Sequence, residues 1–447
     1  MTSLWHSRLA GLLLALTLAI TALPASAVTI IRDAEIERSL RELARPLMAA
    51  AGINPSQVDI WVIDDSKLNA FAADNRTMVL HSGLLMTLET PEQVQAVIAH
   101  EIAHISNGHI ARRMANFKAS NRLAQLGLVL AAAAGAAAGD PGVGAVVGFG
   151  AAEFARRGFF SHTRAEEAAA DQSSARFLAN AGISPVAMVE VLEIFRGQEA
   201  LTTNRQDPYV RTHPLTRDRL RAAQGYAAAY KVNELSRQSE AYWFARMQGK
   251  LTAFLRNPNW TLRRVKASDG SEIATMRRAI AYHEKPDPAR AAREVAKLVQ
   301  MRPNDPYYQE LQGQIAFETR RYADAVRAYE RAVALAPREP LIQAHLGRAL
   351  LAQKSSASDR KALQILQSAY SKDPGNPSML RDLAQAYARA GQNGMASVTT
   401  AERYALSGRL RDAGLHARRA LGLLPQGSPG FARAQDIART AERAAKR

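Results

Sequence analysis

Residues 97–109 read VIAHEIAHISNGH, and three histidines and a glutamate fall within ten positions of this stretch in a chain that holds only ten histidines. In a helix, positions i and i+4 lie on one face. His100 and His104 therefore project together, with Glu101 beside them. H-E-x-x-H at this spacing suits metal-assisted hydrolysis: two imidazoles hold Zn²⁺ and the glutamate takes a proton from water. The flanking Val97, Ile98, Ala99, Ile102, Ala103 and Ile105 make the helix apolar nearly all round. A buried helix carries His, Glu and His only when something compensates their polarity. His109 stands five residues after His104, about 140° around the helix. It is expected behind the ligands or on the helix surface.

A catalytic zinc takes three protein ligands and keeps one open position. The third ligand must come from another element, and residues 161–182, SHTRAEEAAADQSSARFLANAG, are the best source. Its acids are Glu166, Glu167 and Asp171. Glu167 and Asp171 are i and i+4, so one could ligate while the other hydrogen-bonds a ligating histidine. An ordinary solvated acidic face would look the same.

NAFA at 69–72, HSGLL at 81–85, HEIAH at 100–104 and R-x-x-E-x-x-x-D from Arg164 to Asp171 together resemble the Ste24/HtpX-like zinc metalloproteases. The resemblance implies one Zn²⁺ per chain, with Glu167 as third ligand and Asp171 behind a ligand histidine. It implies Glu101 as the catalytic base. The strand before the catalytic helix would be a sheet edge on which an extended substrate lies, and His81 would be structural. Ala103 stands where the family often has Gly. Residues 211–220, RTHPLTRDRL, resemble the BepA-type periplasmic members of the family. By that resemblance His213 sits over the zinc as a regulatory fourth ligand, or else it stabilises a developing oxyanion.

The elements that must position these residues follow from local signals. Residues 30–52 read as an amphipathic helix ending at Gly52. VDIWVI at 58–63 and RTMVLH at 76–81 read as strands joined by a turn through Asp64, Asp65 and Ser66. Residues 91–117 read as a helix with Thr90 as N-cap and Pro91 at the first position.

The first 27 residues carry one Arg, an apolar run from Leu9 to Leu23 and the small-residue sequence Ala25-Ser26-Ala27. This is the pattern of a secretory signal peptide. Its run of about 15 residues is shorter than the roughly 20 of a spanning helix. The expected compartment is the periplasm, with association to the outer membrane. Removing Arg8 takes the formal charge from +17 to +16. The chain has no cysteine, which excludes disulfides and thiolate metal sites. No nucleic-acid module accompanies the positive charge. Residues 123–155, Ala/Gly-rich and broken at Asp140-Pro141-Gly142, read as an apolar hairpin or loop suited to peripheral membrane contact.

The C-terminal part repeats with a 34-residue period. Ala279, Ala291, Leu298 and Pro303 open the series. Gly313, Ala325, Tyr329, Ala332 and Pro337 follow, then Gly347, Ala362, Ala369 and Pro374 with three extra residues near Ser355-Ser356. A partial unit at Leu383, Ala384 and Tyr387 precedes Ala401, Tyr404, Ala413, Ala420 and Pro425, and 428–447 reads as an Arg-rich capping helix. Such tetratricopeptide arrays offer a concave surface to proteins.

The expected fold is mainly α: a zincin-like α+β metalloprotease domain with a small sheet, then an α-solenoid of tetratricopeptide repeats. The division is 1–27 signal peptide, 28–265 protease and 266–447 repeats. The expected function is a zinc endopeptidase in outer-membrane protein quality control. The resemblance implies unfolded or misassembled outer-membrane proteins as clients, with the barrel-assembly machinery reached through the repeats. The other class to weigh is a zinc-containing periplasmic chaperone or scaffold with little hydrolysis.

Overall fold

The computed structural model describes residues 29–113, 163–202, 205–232 and 237–445. The expected signal peptide and the 123–155 segment lie outside these residues. A four-stranded sheet runs in the order β1-β2-β4-β3, with β1 Thr29–Ile31, β2 Asp59–Asp64, β3 Ala70–Ala72 and β4 Thr77–His81. β2 and β4 are parallel; β1 on β2 and β3 on β4 are antiparallel.

The 30–52 reading needs correction at its start. Residues 29–31 are β1, and Asp33 then caps α1 (Ala34–Ala50) by accepting from the Glu35 and Ile36 amides. Three residues are too few to set a period of two, so the helical period of the following stretch dominates the sequence. β2 and β4 are likewise not a hairpin. They are parallel, and β3 intervenes on the outer side of β4. The run NAFA is too short and too small-chained to signal a strand.

After β4 come α2 (Ser82–Thr87) and α3 (Pro91–Ser106), the latter capped by the Thr90 hydroxyl on the Gln93 amide. The expected 91–117 helix is broken after Ser106, where Gly108 takes φ +68° and turns the chain; residues 109–113 are helical again, and 114–117 lie outside the described residues. Every residue from Gln93 to His104 is buried. α4 (Arg164–Asn180) starts in a capping box of Thr163 and Glu166 and packs along α3. Then follow α5 (Val186–Ile194), α6 (Pro208–Thr212) and α7 (Arg217–Ala229). Leu40, Leu43, Leu47, Leu80, Ile98, Ile102 and Leu178 build the core that holds α3 between the sheet, α1 and α4.

α8 (Gln238–Leu255) packs on both α1 and α10 (Glu272–Glu284), with the short α9 (Pro258–Arg264) between. From α10 the chain is all antiparallel helix pairs: α11 Pro288–Met301, α12 Pro306–Glu318, α13 Tyr322–Leu335, α14 Pro340–Ala352, α15 Ser356–Lys372, α16 Pro377–Arg389, α17 Asn393–Leu406, α18 Leu410–Leu421 and α19 Pro429–Ala445. The small repeat positions are where partners approach. A Cβ on Gly313 would lie 2.8 Å from the Tyr329 ring, and one on Gly347 would lie 2.4 Å from Leu366 Cγ. The fold is therefore mainly α, with one small sheet ahead of a helical repeat array.

Candidate active site

α3 delivers His100, Glu101 and His104, and α4 delivers Glu167 and Asp171. His213 follows α6, where its backbone amide bonds to the Tyr209 carbonyl. All six side chains are buried.

One ligand atom each from His100, His104, Glu167 and His213 lies within 4.8 Å of the others. His100 Nε2 is 3.1 Å from His104 Nε2 and 3.3 Å from His213 Nδ1. Glu167 Oε1 is 3.3 Å from His104 Nε2 and 3.1 Å from His213 Nδ1. Four donors at about 2.1 Å from a common centre in a tetrahedron stand about 3.4 Å apart. The four groups therefore fit a small cation such as zinc.

The other ring nitrogens support the same reading. His100 Nδ1 faces Asp171 Oδ1 at 3.1 Å, and His104 Nδ1 faces His109 Nδ1 at 2.9 Å. His213 Nε2 faces the Ala70 carbonyl at 3.3 Å. When each of these three nitrogens carries the proton and donates it outward, the opposite nitrogen of each ring offers a lone pair to the centre. His109 thus stands behind His104.

The carboxylates are held as anions. Burial alone would raise the pKa of Glu167, but His213, Arg219 and its histidine contacts hold it well below the usual carboxylate range. Asp171 is likewise opposed by burial and lowered by Arg219 and His100. Arg219 Nε and Nη2 donate to the two Asp171 oxygens at 2.7 and 2.9 Å, and Nη1 lies 2.6 Å from Glu167 Oε2. Burial depresses His100, yet its bonds to Asp171 and Glu167 outweigh that and push its pKa up to about 10. This rise describes the carboxylate-bonded ring; a ligated ring must be neutral. Burial holds His104 well below its ordinary value.

Glu101 Oε2 accepts from the Ala72 amide at 2.9 Å. Its Oε1 is buried without a hydrogen bond, 3.4 Å from His213 Nε2. β3 bonds to β4 through Asn69 and Ala73, so the Ala70 carbonyl and the Ala72 amide point off the sheet edge. His213 holds the first and Glu101 the second. The expected substrate edge, the strand ending at His81, is β4 and is paired on both sides; the edge is β3, and sequence reading missed its two backbone groups and Arg219. Arg219 lies three residues after the Thr216 cap of α7, which turns it inward; no spacing relative to the histidines announces it.

A buried H-E-x-x-H on one helix, with a carboxylate from a second helix completing the donor set, defines a metallopeptidase of the helix-borne type. Residues 31–227, a little under half of the chain, match Peptidase family M48. The beta-barrel assembly-enhancing protease of Yersinia pestis is 27% identical over 402 residues, covering 86% of this chain and 79% of that protein. The protein of the same name from Escherichia coli K12 is 27% identical over 395 residues, covering 86% and 78%. Among solved structures, a thermophilic TPR protein of Thermus thermophilus aligns over 37% of this chain and 98% of its own, at 17% identity and a TM-score of 0.26.

Proposed function

We propose that this metalloprotease is a zinc endopeptidase of the periplasm that acts on unfolded or stalled outer-membrane β-barrel proteins and aids their assembly. The names of the two relatives support the barrel connection. The reading takes 1–27 as an export signal, 28–265 as the protease and 266–447 as the docking array for the assembly machinery.

The carrying observation is the convergence of His100, His104 and Glu167 beside a catalytic-type carboxylate and a sheet edge. His100, His104 and Glu167 would hold the zinc, which supplies Lewis acidity and an acidified water. Asp171 fixes the His100 ring through Nδ1. Arg219 neutralises the two buried acids and keeps Glu167 in place. Glu101 takes a proton on Oε1 from the attacking water and hands it to the leaving amine. An extended client segment pairs with the outward groups of Ala70 and Ala72. That pairing reads backbone and little side chain, which suits unfolded clients. His213 closes the site when no client is present.

The test is cleavage of an unfolded barrel protein by the full exported chain and by Glu101→Gln, with bound zinc measured in both. We expect equal zinc and a loss of cleavage on the order of 10²- to 10⁴-fold. Equal zinc with no cleavage by either protein would favour the chaperone reading.

A further inference from the structure

An aromatic residue between the protease and the repeats carries an arginine cluster of unusual composition. Arg264 lies 4.2 Å from the Trp260 ring centroid, Arg256 5.8 Å and Arg277 6.0 Å. Trp260 is half-exposed, and Arg256 and Arg264 are exposed. Residues 254–267 also contain Arg263 and Lys266 and hold no Asp or Glu.

Several other arginines that stack on rings in this protein have a carboxylate to answer them. Arg246 over Tyr308 pairs with Glu35 and Asp305. Arg290 over Tyr282 pairs with Asp287, Arg409 over Tyr404 with Asp412, and Arg433 over Tyr370 with Glu402. Among the described residues, Arg256, Arg264 and Arg277 form no ion pair. Arg277 is half-buried, and its Nε makes no hydrogen bond. Three guanidiniums around one indole repel each other, and an anion seated between them relieves that repulsion.

We propose that Trp260 with Arg256, Arg264 and Arg277 binds the phosphate of an anionic lipid headgroup at a membrane surface. A guanidinium fork matches phosphate oxygens. A half-exposed indole suits the level of the headgroups. Half-buried Phe254 and Leu255 add apolar area beside the ring. The cluster surrounds a single ring, which suits a compact anion better than an extended acidic chain. The site lies outside the catalytic cluster, so its failure would leave the protease reading intact.

The experiment is co-sedimentation of the full chain with phosphatidylcholine vesicles, with and without phosphatidylglycerol. Two test variants are Arg256→Gln with Arg264→Gln, and Trp260→Ala alone. A control removes two exposed charges elsewhere, Arg411→Gln with Arg418→Gln. Unchanged circular dichroism and unchanged cleavage of a soluble unfolded protein certify folding. We expect binding only with phosphatidylglycerol, weakened on the order of tenfold by the double test variant and kept by the control. Trp260→Ala should weaken it too. Absence of wild-type binding overturns the proposal, and so does equal loss in the control. Thermal stabilisation by inorganic phosphate without vesicle binding overturns it in favour of a free anion.

Discussion

His213 makes two contacts that a working site would have to give up. Its Nδ1 stands among the candidate metal ligands, and its Nε2 holds the Ala70 carbonyl. Client pairing on β3 needs that carbonyl. On the proposed reading, one side chain closes both the fourth position and the substrate edge, and a client strand that bonds Ala70 would remove a tether of the blocking imidazole. His213→Ala is therefore expected to raise turnover of an unfolded protein by several-fold at saturating zinc, because a competing ligand is gone. Steady-state cleavage with zinc content measured alongside decides it. A drop in turnover at full zinc occupancy would instead assign His213 to oxyanion stabilisation. The residues were unequally legible in the sequence. His100, Glu101 and His104 follow from spacing on one helix. Glu167 and Asp171 follow as an i, i+4 pair, but family resemblance alone told which would ligate. Arg219 and the backbone of Ala70 and Ala72 arrive by tertiary folding and left no pattern.

At the scale of elements, one glycine holds the approach to the active-site edge. Gly83 sits in α2, directly after β4, and the loop following β2 crosses over it. The Gly83 amide donates to the Asp65 carbonyl at 2.9 Å. A Cβ at Gly83 would lie 2.1 Å from the Ser66 carbonyl oxygen and 2.8 Å from that of Lys67. Both are backbone atoms, so no rotamer change relieves the clash. Gly83→Ala must push 65–67 away and disturb the run into Asn69 and Ala70. We expect a loss of about 1–3 kcal/mol, read from urea unfolding. Gly347→Ala meets a Leu366 side chain that can rotate, and should cost less. Such approaches also explain why some elements were legible and others were not. The repeat helices were readable because Gly313, Gly347 and their partners recur at a fixed period. β1 and β3, each three residues long, are defined by the neighbours they pair with and not by their own composition.

At the scale of the whole molecule, the protease and the array meet through charged groups on α1 and just ahead of it. Arg32 bonds Asp373 at 2.8 Å, and Arg41 bonds Glu339 at 3.1 Å. Lys250 and Arg246 of α8 answer Asp33, Glu35 and Asp305. Glu339 is a group in this seam whose ionisation falls near neutrality. Burial raises its pKa to about 7; Arg41 opposes that, while Glu37 and Glu310 add to it. The folded protein thus holds a proton that the unfolded chain releases near 4.5. Between those values the native state binds more protons, so stability falls as pH rises from about 4.5 to about 7. Glu339→Gln removes that slope. Thermal unfolding of wild type and Glu339→Gln across this range should give curves that converge at the acid end and separate toward neutral pH, with the variant the more stable there. Parallel curves would mean that Glu339 titrates alike folded and unfolded, and that Arg41 fully offsets its burial. With the slope present, ionising the buried Glu339 costs the folded protein at neutral pH some of the stability it keeps in mild acid.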